Sequence, residues 1–339
     1  MKAMVYHDYG PPDVLKCEEI EIPTPKENQV LLRVRAAAVN PLDCGLMKGK
    51  PYLMRFLFGF PKPKTTRPGR DVAGQVEAVG RNVTQFKPGD EVFGVCTAGS
   101  WMDKVDGAFA EYACTLENAL VTKPENITFE QAASVPIAAL TALQGLRDKG
   151  HIQPGQSVLI NGAAGGVGTF AVQIAKALGA QVTGVCSSRN VEMVRKIGAD
   201  HVVDYTQKDF TKSGENYDLI FDLVANHSFV EIRRVMNPNG VFVGAGVVGA
   251  PKSIIGMLGG LISTILVSLV VSQRYATFVA KVNTKDLKVI RELMASGKVI
   301  PVIDRVFQLS ETAEAMRHQD QGHARGKIVI SVPCNAANG

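Results

Sequence analysis

No two of the six cysteines, Cys17, Cys44, Cys96, Cys114, Cys186 and Cys334, stand at CxxC spacing. That excludes a zinc site built on clustered cysteines and a compact disulfide framework, and it fits a reducing compartment. Neither sign of charge dominates. There are 37 Lys and Arg against 32 Asp and Glu, a formal net charge of +5, and the basic residues are dispersed. Nucleic-acid binding is therefore not indicated, whereas a mild basic excess suits an anionic cofactor or an anionic membrane surface. No Gly-x-Ser-x-Gly elbow is present, which argues against a hydrolase of that type. The histidines, His7, His151, His201, His227, His318 and His323, are scattered and lie mostly by turns, so none forms a persuasive catalytic pair. The opening residues MKAMVY lack an apolar h-region, so no secretory signal is expected and the chain reads as cytoplasmic.

The chain has 339 residues, 46% hydrophobic and 20% charged, enough for about two ordinary globular domains. The first 127 residues read as short strands punctuated by turns. Strands are expected at Gln29–Ala38, Val72–Val79, Glu91–Val95, Phe109–Thr115 and Asn118–Thr122. From Thr128 the pattern alternates. Phe129–Asp148 reads as a helix despite Pro136. Strands at Gln156–Ile160, Gln181–Cys186, His201–Asp204, Asp218–Leu223 and Val241–Gly244 are separated by helices at Thr169–Leu178, Val191–Ile197 and Ser228–Met236. Such alternation defines an α/β, doubly wound parallel sheet. A helix at Asp286–Ala295, a strand at Val299–Val306, a helix at Glu311–His318 and a strand at Lys327–Val332 follow. These are expected to rejoin the first domain, giving domains of 1–127 plus 284–339 and an inserted 128–283.

One stretch carries most of the chemical information. Gly162, Ala163, Ala164, Gly165, Gly166, Val167 and Gly168 follow the apolar run Ser157–Ile160 and open the apolar-periodic segment from Phe170 to Leu178. Strand, glycine turn and helix in that order bring a phosphate against the backbone and onto a helix N-terminus, where unpaired N–H groups favour negative charge. The alternative is a purely structural turn. NAD sites carry an acidic residue at the end of the second strand for the ribose 2′-OH. Here that strand runs into Ser187, Ser188 and Arg189, with no Asp or Glu. Hydroxyls and a guanidinium suit the 2′-phosphate of NADPH, and Tyr205, after the third strand, offers another hydroxyl. The alternative is a solvated loop opening a helix. Val224, Ala245 and Gly246 follow the C-terminal ends of later strands, where cofactors bind in such sheets.

Ser253–Ser272 is an uncharged run of twenty residues. It is long enough to span a bilayer, but it lies between strands that belong to one sheet. The remaining readings are a buried helix or dimer surface, a wall of the substrate cleft, or shallow docking on a membrane.

Several separated motifs carry a family resemblance. They are Ala38–Asp43 (AVNPLD), Pro68–Gly74 (PGRDVAG), Gly107–Tyr112 (GAFAEY), Val135–Ala142 (VPIAALTA) and His323–Val329 (HARGKIV), together with the glycine turn. In this order they resemble the medium-chain dehydrogenase/reductase superfamily over essentially the whole chain. The resemblance is to its zinc-free quinone oxidoreductases, the zeta-crystallin-like branch that includes the reticulon-interacting mitochondrial and chloroplast-envelope homologues. It implies a GroES-like, β-rich barrel domain around the Rossmann sheet, and a homodimer. Zinc alcohol dehydrogenases carry a Cys-His pair where this chain has Asn40–Asp43, and Gly-His-Glu where it has Gly69-Arg70-Asp71. No zinc is therefore expected.

Zinc polarises a carbonyl and stabilises an alkoxide, and no replacement electrophile is evident in the sequence. A quinone or α,β-unsaturated carbonyl is itself electrophilic and needs less help, which favours its reduction by NADPH. The resemblance places Asn40, Asp43 and Thr141 near the nicotinamide and substrate. Asn40 is then a hydrogen-bond donor to the substrate oxygen, or a turn residue before Pro41. Asp43 braces the site. Thr141 faces the nicotinamide, or is a plain helix residue. Tyr52 donates a proton or hydrogen bond, or merely packs. Two other functions stay open: a metal-free NADP-dependent alcohol or aldehyde dehydrogenase, and a non-enzymatic NADPH-binding protein.

Overall fold

The computed structural model describes residues 1–50, 52, 55–97, 99, 107–245 and 272–333. The apolar run Ser253–Ser272, apart from Ser272, and the expected cofactor residue Gly246 lie outside them. The chain divides into two units, Met1–Ile137 with Val282–Ala295 and Pro301–Gly339, and Ala138–Lys281 with Ser296–Ile300.

In the first unit, β1 (Lys2–Val5) and β2 (Lys16–Glu19) form an antiparallel pair. They precede β3 (Gln29–Val39), β4 (Asp71–Val79), β5 (Glu91–Val95), β6 (Tyr112–Leu116) and β7 (Leu120–Thr122). After β3 comes a helix, α1 (Pro41–Lys48), where the sequence reads as strands and turns. Its cause is local. Pro41 fits the first helical position, the Asp43 carboxylate accepts from the Asn40 N–H at 2.9 Å, and Gly49 ends the helix at φ +59°. A short α2 (Arg55–Phe58) follows.

The single helix expected over Phe129–Asp148 is broken into α3 (Phe129–Ala133) and α4 (Pro136–Gln144), and α4 runs on as a wider turn through Gly145–Lys149. Proline has no N–H for the preceding turn, so it starts a new helix instead of continuing the old one.

The second unit holds β8 (Ser157–Asn161), α5 (Gly166–Ala177), β9 (Gln181–Cys186), α6 (Val191–Lys196), β10 (His201–Asp204), β11 (Tyr217–Asp222), α7 (Phe229–Arg233), β12 (Met236–Ala245) and β13 (Arg274–Phe278). All five pairings are parallel, in the order β10-β9-β8-β11-β12-β13. This is the doubly wound sheet expected. The order reverses between β8 and β11, the place where ligands bind in such sheets. Leu159, Val185, Ile220 and Phe210 are buried in its core. β12 begins five residues earlier than expected, so the helix before it is shorter than the sequence reading by three residues at its C-terminal end.

The first unit then resumes with α8 (Thr284–Ala295), β14 (Ile303–Gln308), α9 (Thr312–Asp320) and β15 (Lys327–Ser331). The strand expected from Val299 starts only after Pro301, which has no N–H to give a ladder. The sheet runs β14-β15-β3-β4-β5-β7, with β6 also on β3. Val30, Leu32, Val34, Val92, Phe109 and Ile330 fill its core. The register matters for function. β15 sets Ile328 opposite Val39, and β4 sets Asp71 opposite Ala38, so both flank the end of β3 where Asn40 lies.

Candidate functional site

In the second unit the glycine turn leaves β8 at its C-terminal end. Gly162 takes φ +87°, a left-handed conformation that suits glycine, and a Cβ there would lie 2.9 Å from Val224 Cγ2. The Gly162 and Ala163 amides donate to the Val185 carbonyl at 3.2 and 3.0 Å, and Gly165 donates to Gly162 at 3.0 Å. A Cβ on Gly168 would stand 2.0 Å from the Gly162 oxygen, so only glycine lets the helix pack this closely on the turn. α5 starts at Gly166 with Gly165 as its cap, and that cap has no side chain to satisfy the first amides. Gly165, Gly166 and Val167 are half-buried, whereas Ala163, Ala164 and Gly168 are buried. The first amides of a helix lack intrahelical acceptors, so this turn fits a phosphate.

The reversal point is braced from the other side. Asn161 and Asp222 are register partners at the ends of β8 and β11. Asn161 Nδ2 donates to Asp222 Oδ1 at 2.9 Å and to Asn226 Oδ1 at 3.0 Å. The same Asp222 oxygen accepts from the Val224 and Ala225 amides at 2.9 and 3.0 Å. Val224 is thus held against the glycine turn, with Ala225 at φ +57°. Ala245 ends β12 and is 8% exposed. Asn161 and Asp222 were missed by sequence reasoning. An Asp at the C-terminal end of an expected strand was the available signal.

Beyond β9, Ser188 and Arg189 are exposed and Ser187 is half-buried. Ser187 Oγ accepts from Asn190 Nδ2 at 3.2 Å. Tyr205 is 61% exposed and its amide donates to the Cys186 carbonyl at 3.0 Å, so it emerges beside Ser187. The hydroxyl of Ser188 donates to Asp204 Oδ2 at 2.6 Å, a contact the sequence reading did not foresee.

In the first unit a buried polar cluster closes the end of β3. Asn40, Asp43, Arg70, Asp71 and Lys327 are each at most 4% exposed. Lys327 Nζ donates to Asn40 Oδ1 at 2.6 Å and to Asp71 Oδ2 at 3.1 Å. Asn40 Nδ2 donates to Asp71 Oδ2 at 3.0 Å and to the Ala38 carbonyl at 3.5 Å. The other Asp71 oxygen accepts from the Ile137 amide at 2.9 Å. Asp43 accepts from Asn40 N and, at 3.2 Å, from Gly69 N. Burial pushes the Asp43 carboxyl up to about 6, although the Asn40 amide and the nearby Arg70 and Lys327 charges hold it lower than burial alone would. The Asn40 side chain thus both donates and accepts within the cluster.

Tyr52 is elsewhere. It is 65% exposed, with the Arg55 guanidinium 4.8 Å from its ring centroid. Thr141 lies in α4 and is half-buried. Lys327 sits inside the motif His323–Val329, and a lysine leading an apolar strand was the signal that it is buried with partners.

A parallel sheet with a glycine turn at its reversal point is the arrangement of dinucleotide-binding folds. Residues 26–125 match the family described as Alcohol dehydrogenase GroES-like domain, and residues 197–330 match that described as Zinc-binding dehydrogenase. The chain is 36% identical over 337 residues to the chloroplastic NADPH-dependent alkenal/one oxidoreductase of Arabidopsis thaliana, covering 97% of this chain and 79% of that protein. It is 35% identical to the mitochondrial NAD(P)H oxidoreductase RTN4IP1 of Mus musculus, covering 98% and 89%. Among solved structures, the quinone oxidoreductase from Coxiella burnetii superposes with a TM-score of 0.84 at 30% identity, covering 98% of this chain and 99% of that one. The chain belongs to the medium-chain dehydrogenase/reductase superfamily of NAD(P)H-dependent oxidoreductases. Among the described residues, no helix is long and apolar enough to cross a membrane.

Proposed function

We propose that this chain is a zinc-independent, NADPH-dependent reductase of quinones or α,β-unsaturated carbonyls. The observation that carries the reading is the Lys327 ammonium within the Asn40–Asp71 cluster. The two stretches that replace the zinc ligands of alcohol dehydrogenases already enclose a cation, and they present amide and carboxylate oxygens to it. Asn40–Asp43 and Gly69–Asp71 offer no Cys or His to a metal, which suits an acceptor that is already electrophilic. The relatives' names support the same class of acceptor.

Bound NADPH supplies a hydride from its nicotinamide ring. The chain's own part is placement. The first amides of α5 hold the pyrophosphate, Asn161 and Asp222 fix the turn that presents them, and Ser187, Ser188, Arg189 and Tyr205 receive the 2′-phosphate end. The Asn40–Asp43–Asp71–Lys327 cluster fixes the start of α1 and the entry to α4. The resemblance also supports a homodimer, for which light scattering should return twice the 36.4 kDa chain mass.

The test is an NADPH-oxidation panel of quinones, alkenals and enones, with alcohols plus NADP+ alongside and metal analysis of the same sample. Turnover of the electrophiles with silent alcohols and no stoichiometric zinc is the expected result. Alcohol oxidation with NADP+, stoichiometric zinc, or tight NADPH binding without any turnover would each refute the proposal.

A further inference from the structure

We propose that Asp204 is a cofactor-specificity residue: it holds the Ser188 hydroxyl and opposes the 2′-phosphate, tempering the preference for NADPH over NADH. This rests on the reading of Ser187–Arg189 as the end of the site that meets the 2′-position.

The argument begins with register. β9 and β10 are parallel, and Asp204 is paired with Cys186, the last residue of β9. The residues that follow both strands therefore emerge side by side. The acidic residue absent from the end of β9 is supplied by its neighbour. Ser188 Oγ donates to Asp204 Oδ2 at 2.6 Å. Thr206 donates to Asp204 Oδ1 from its hydroxyl at 2.7 Å and from its amide at 3.0 Å. The two hydroxyl oxygens are 2.9 Å apart. Both hydroxyls gather on the carboxylate, so a phosphate that takes the Ser188 hydroxyl as a donor competes for it with Asp204. The Ser188 hydrogen bond, followed by those from Thr206, holds the Asp204 carboxyl below its ordinary range, so the charge is present at neutral pH.

Geometry then sets the sign. A phosphate oxygen resting on Ser188 Oγ at about 2.8 Å lies within about 5.5 Å of the Asp204 carboxylate. Like charges at that distance repel, and salt screens the repulsion because the loop is open to solvent. A ribose 2′-OH is a donor, which a carboxylate accepts. Arg189, next along the chain, attracts the phosphate that Asp204 repels. The pair therefore makes a site that admits both dinucleotides, with the balance set by two opposed charges.

The experiment measures dissociation constants of NADPH and NADH by fluorescence titration of the full chain. It compares the wild type with Asp204→Asn, Asp204→Ser and Arg189→Ala, at low and at high salt, with melting temperatures recorded. Removing the Asp204 charge should tighten NADPH by roughly three- to tenfold, less at high salt, and leave NADH unchanged or weaker. Asp204→Ser guards against a folding defect peculiar to one variant. A ratio of constants that stays put, or moves toward NADH, in well-folded variants overturns the role of Asp204. The cofactor reading fails separately: there the wild type binds NADH at least as tightly as NADPH, and Arg189→Ala leaves the ratio unchanged.

Discussion

Lys327 Nζ donates to Asn40 Oδ1 across 2.6 Å, joining residues 287 positions apart at the end of β3. The same ammonium reaches Asp71, which is fully buried. Breaking a buried pair by removing one partner leaves the other charge unpaired and costs about 3–5 kcal/mol. Asn40 Nδ2 and Ile137 N still serve Asp71, so Lys327→Met should cost about 3 kcal/mol, at the low end of that range. Guanidinium unfolding of the purified variant measures it. A loss under about 1 kcal/mol would show that the cluster tolerates an empty cation position.

Asp43 gives the cluster a pH dependence of defined sign. Its folded-state value is raised from 3.8 to about 6, chiefly by burial. Between those values the folded chain holds a proton that the unfolded chain has released. The stabilisation is full below the unfolded value and is lost as pH climbs through about 6. The part due to this group amounts to about 3 kcal/mol at most. Comparing unfolding free energies at pH 4.5 and 7, the wild type should lose more stability over the interval than Asp43→Asn does. Parallel pH profiles for the two proteins would remove Asp43 as the cause.

The sheet and the strand–turn–helix around Gly162–Gly168 were legible because their signals are local. A glycine run between an apolar strand and an apolar-periodic helix specifies both elements. The alternation of strands and helices from Gln156 onward specifies the parallel sheet. Asp204 and Lys327 were not legible in the same way. Each acts on a residue brought alongside by strand register, Asp204 on Ser188 through the β9–β10 pairing and Lys327 on Asn40 through β15–β3. Register follows from which faces are buried in the assembled sheet, and no window along the chain contains that information. α1 was missed for a different reason. Its start depends on the Asp43 carboxylate turning back to the Asn40 amide, a short-range contact in a stretch whose composition reads as a turn.

The glycine turn separates fold from function. A Cβ at position 168 meets the Gly162 oxygen at 2.0 Å, so Gly168→Ala should destabilise the protein by about 2 kcal/mol or more. At position 165 the nearest atom is 3.4 Å away and the backbone is extended, so Gly165→Ala should change stability by less than about 0.5 kcal/mol. Its methyl group nevertheless stands beside the first amides of α5. NADPH affinity should therefore fall by about tenfold or more, roughly the effect of denying a phosphate its close approach to backbone amides. Thermal melting paired with a binding titration reads both. Unchanged affinity in Gly165→Ala would mean that the pyrophosphate does not rest on this turn.

Arg189 carries the attractive half of the proposed 2′-phosphate contact. A guanidinium grips a phosphate through paired, charge-assisted hydrogen bonds, which are about twice as strong as neutral ones. Arg189→Glu removes that grip and adds a second negative charge close to Asp204. The KM for NADPH should rise by at least about tenfold, while the KM for NADH, which has no 2′-phosphate, should stay within about twofold. Since Arg189 is exposed, melting temperature should be unaffected, and raised salt should narrow the gap between wild type and variant. Equal losses with both dinucleotides would place Arg189 outside the 2′-position and return Ser187–Arg189 to the role of a solvated loop opening α6.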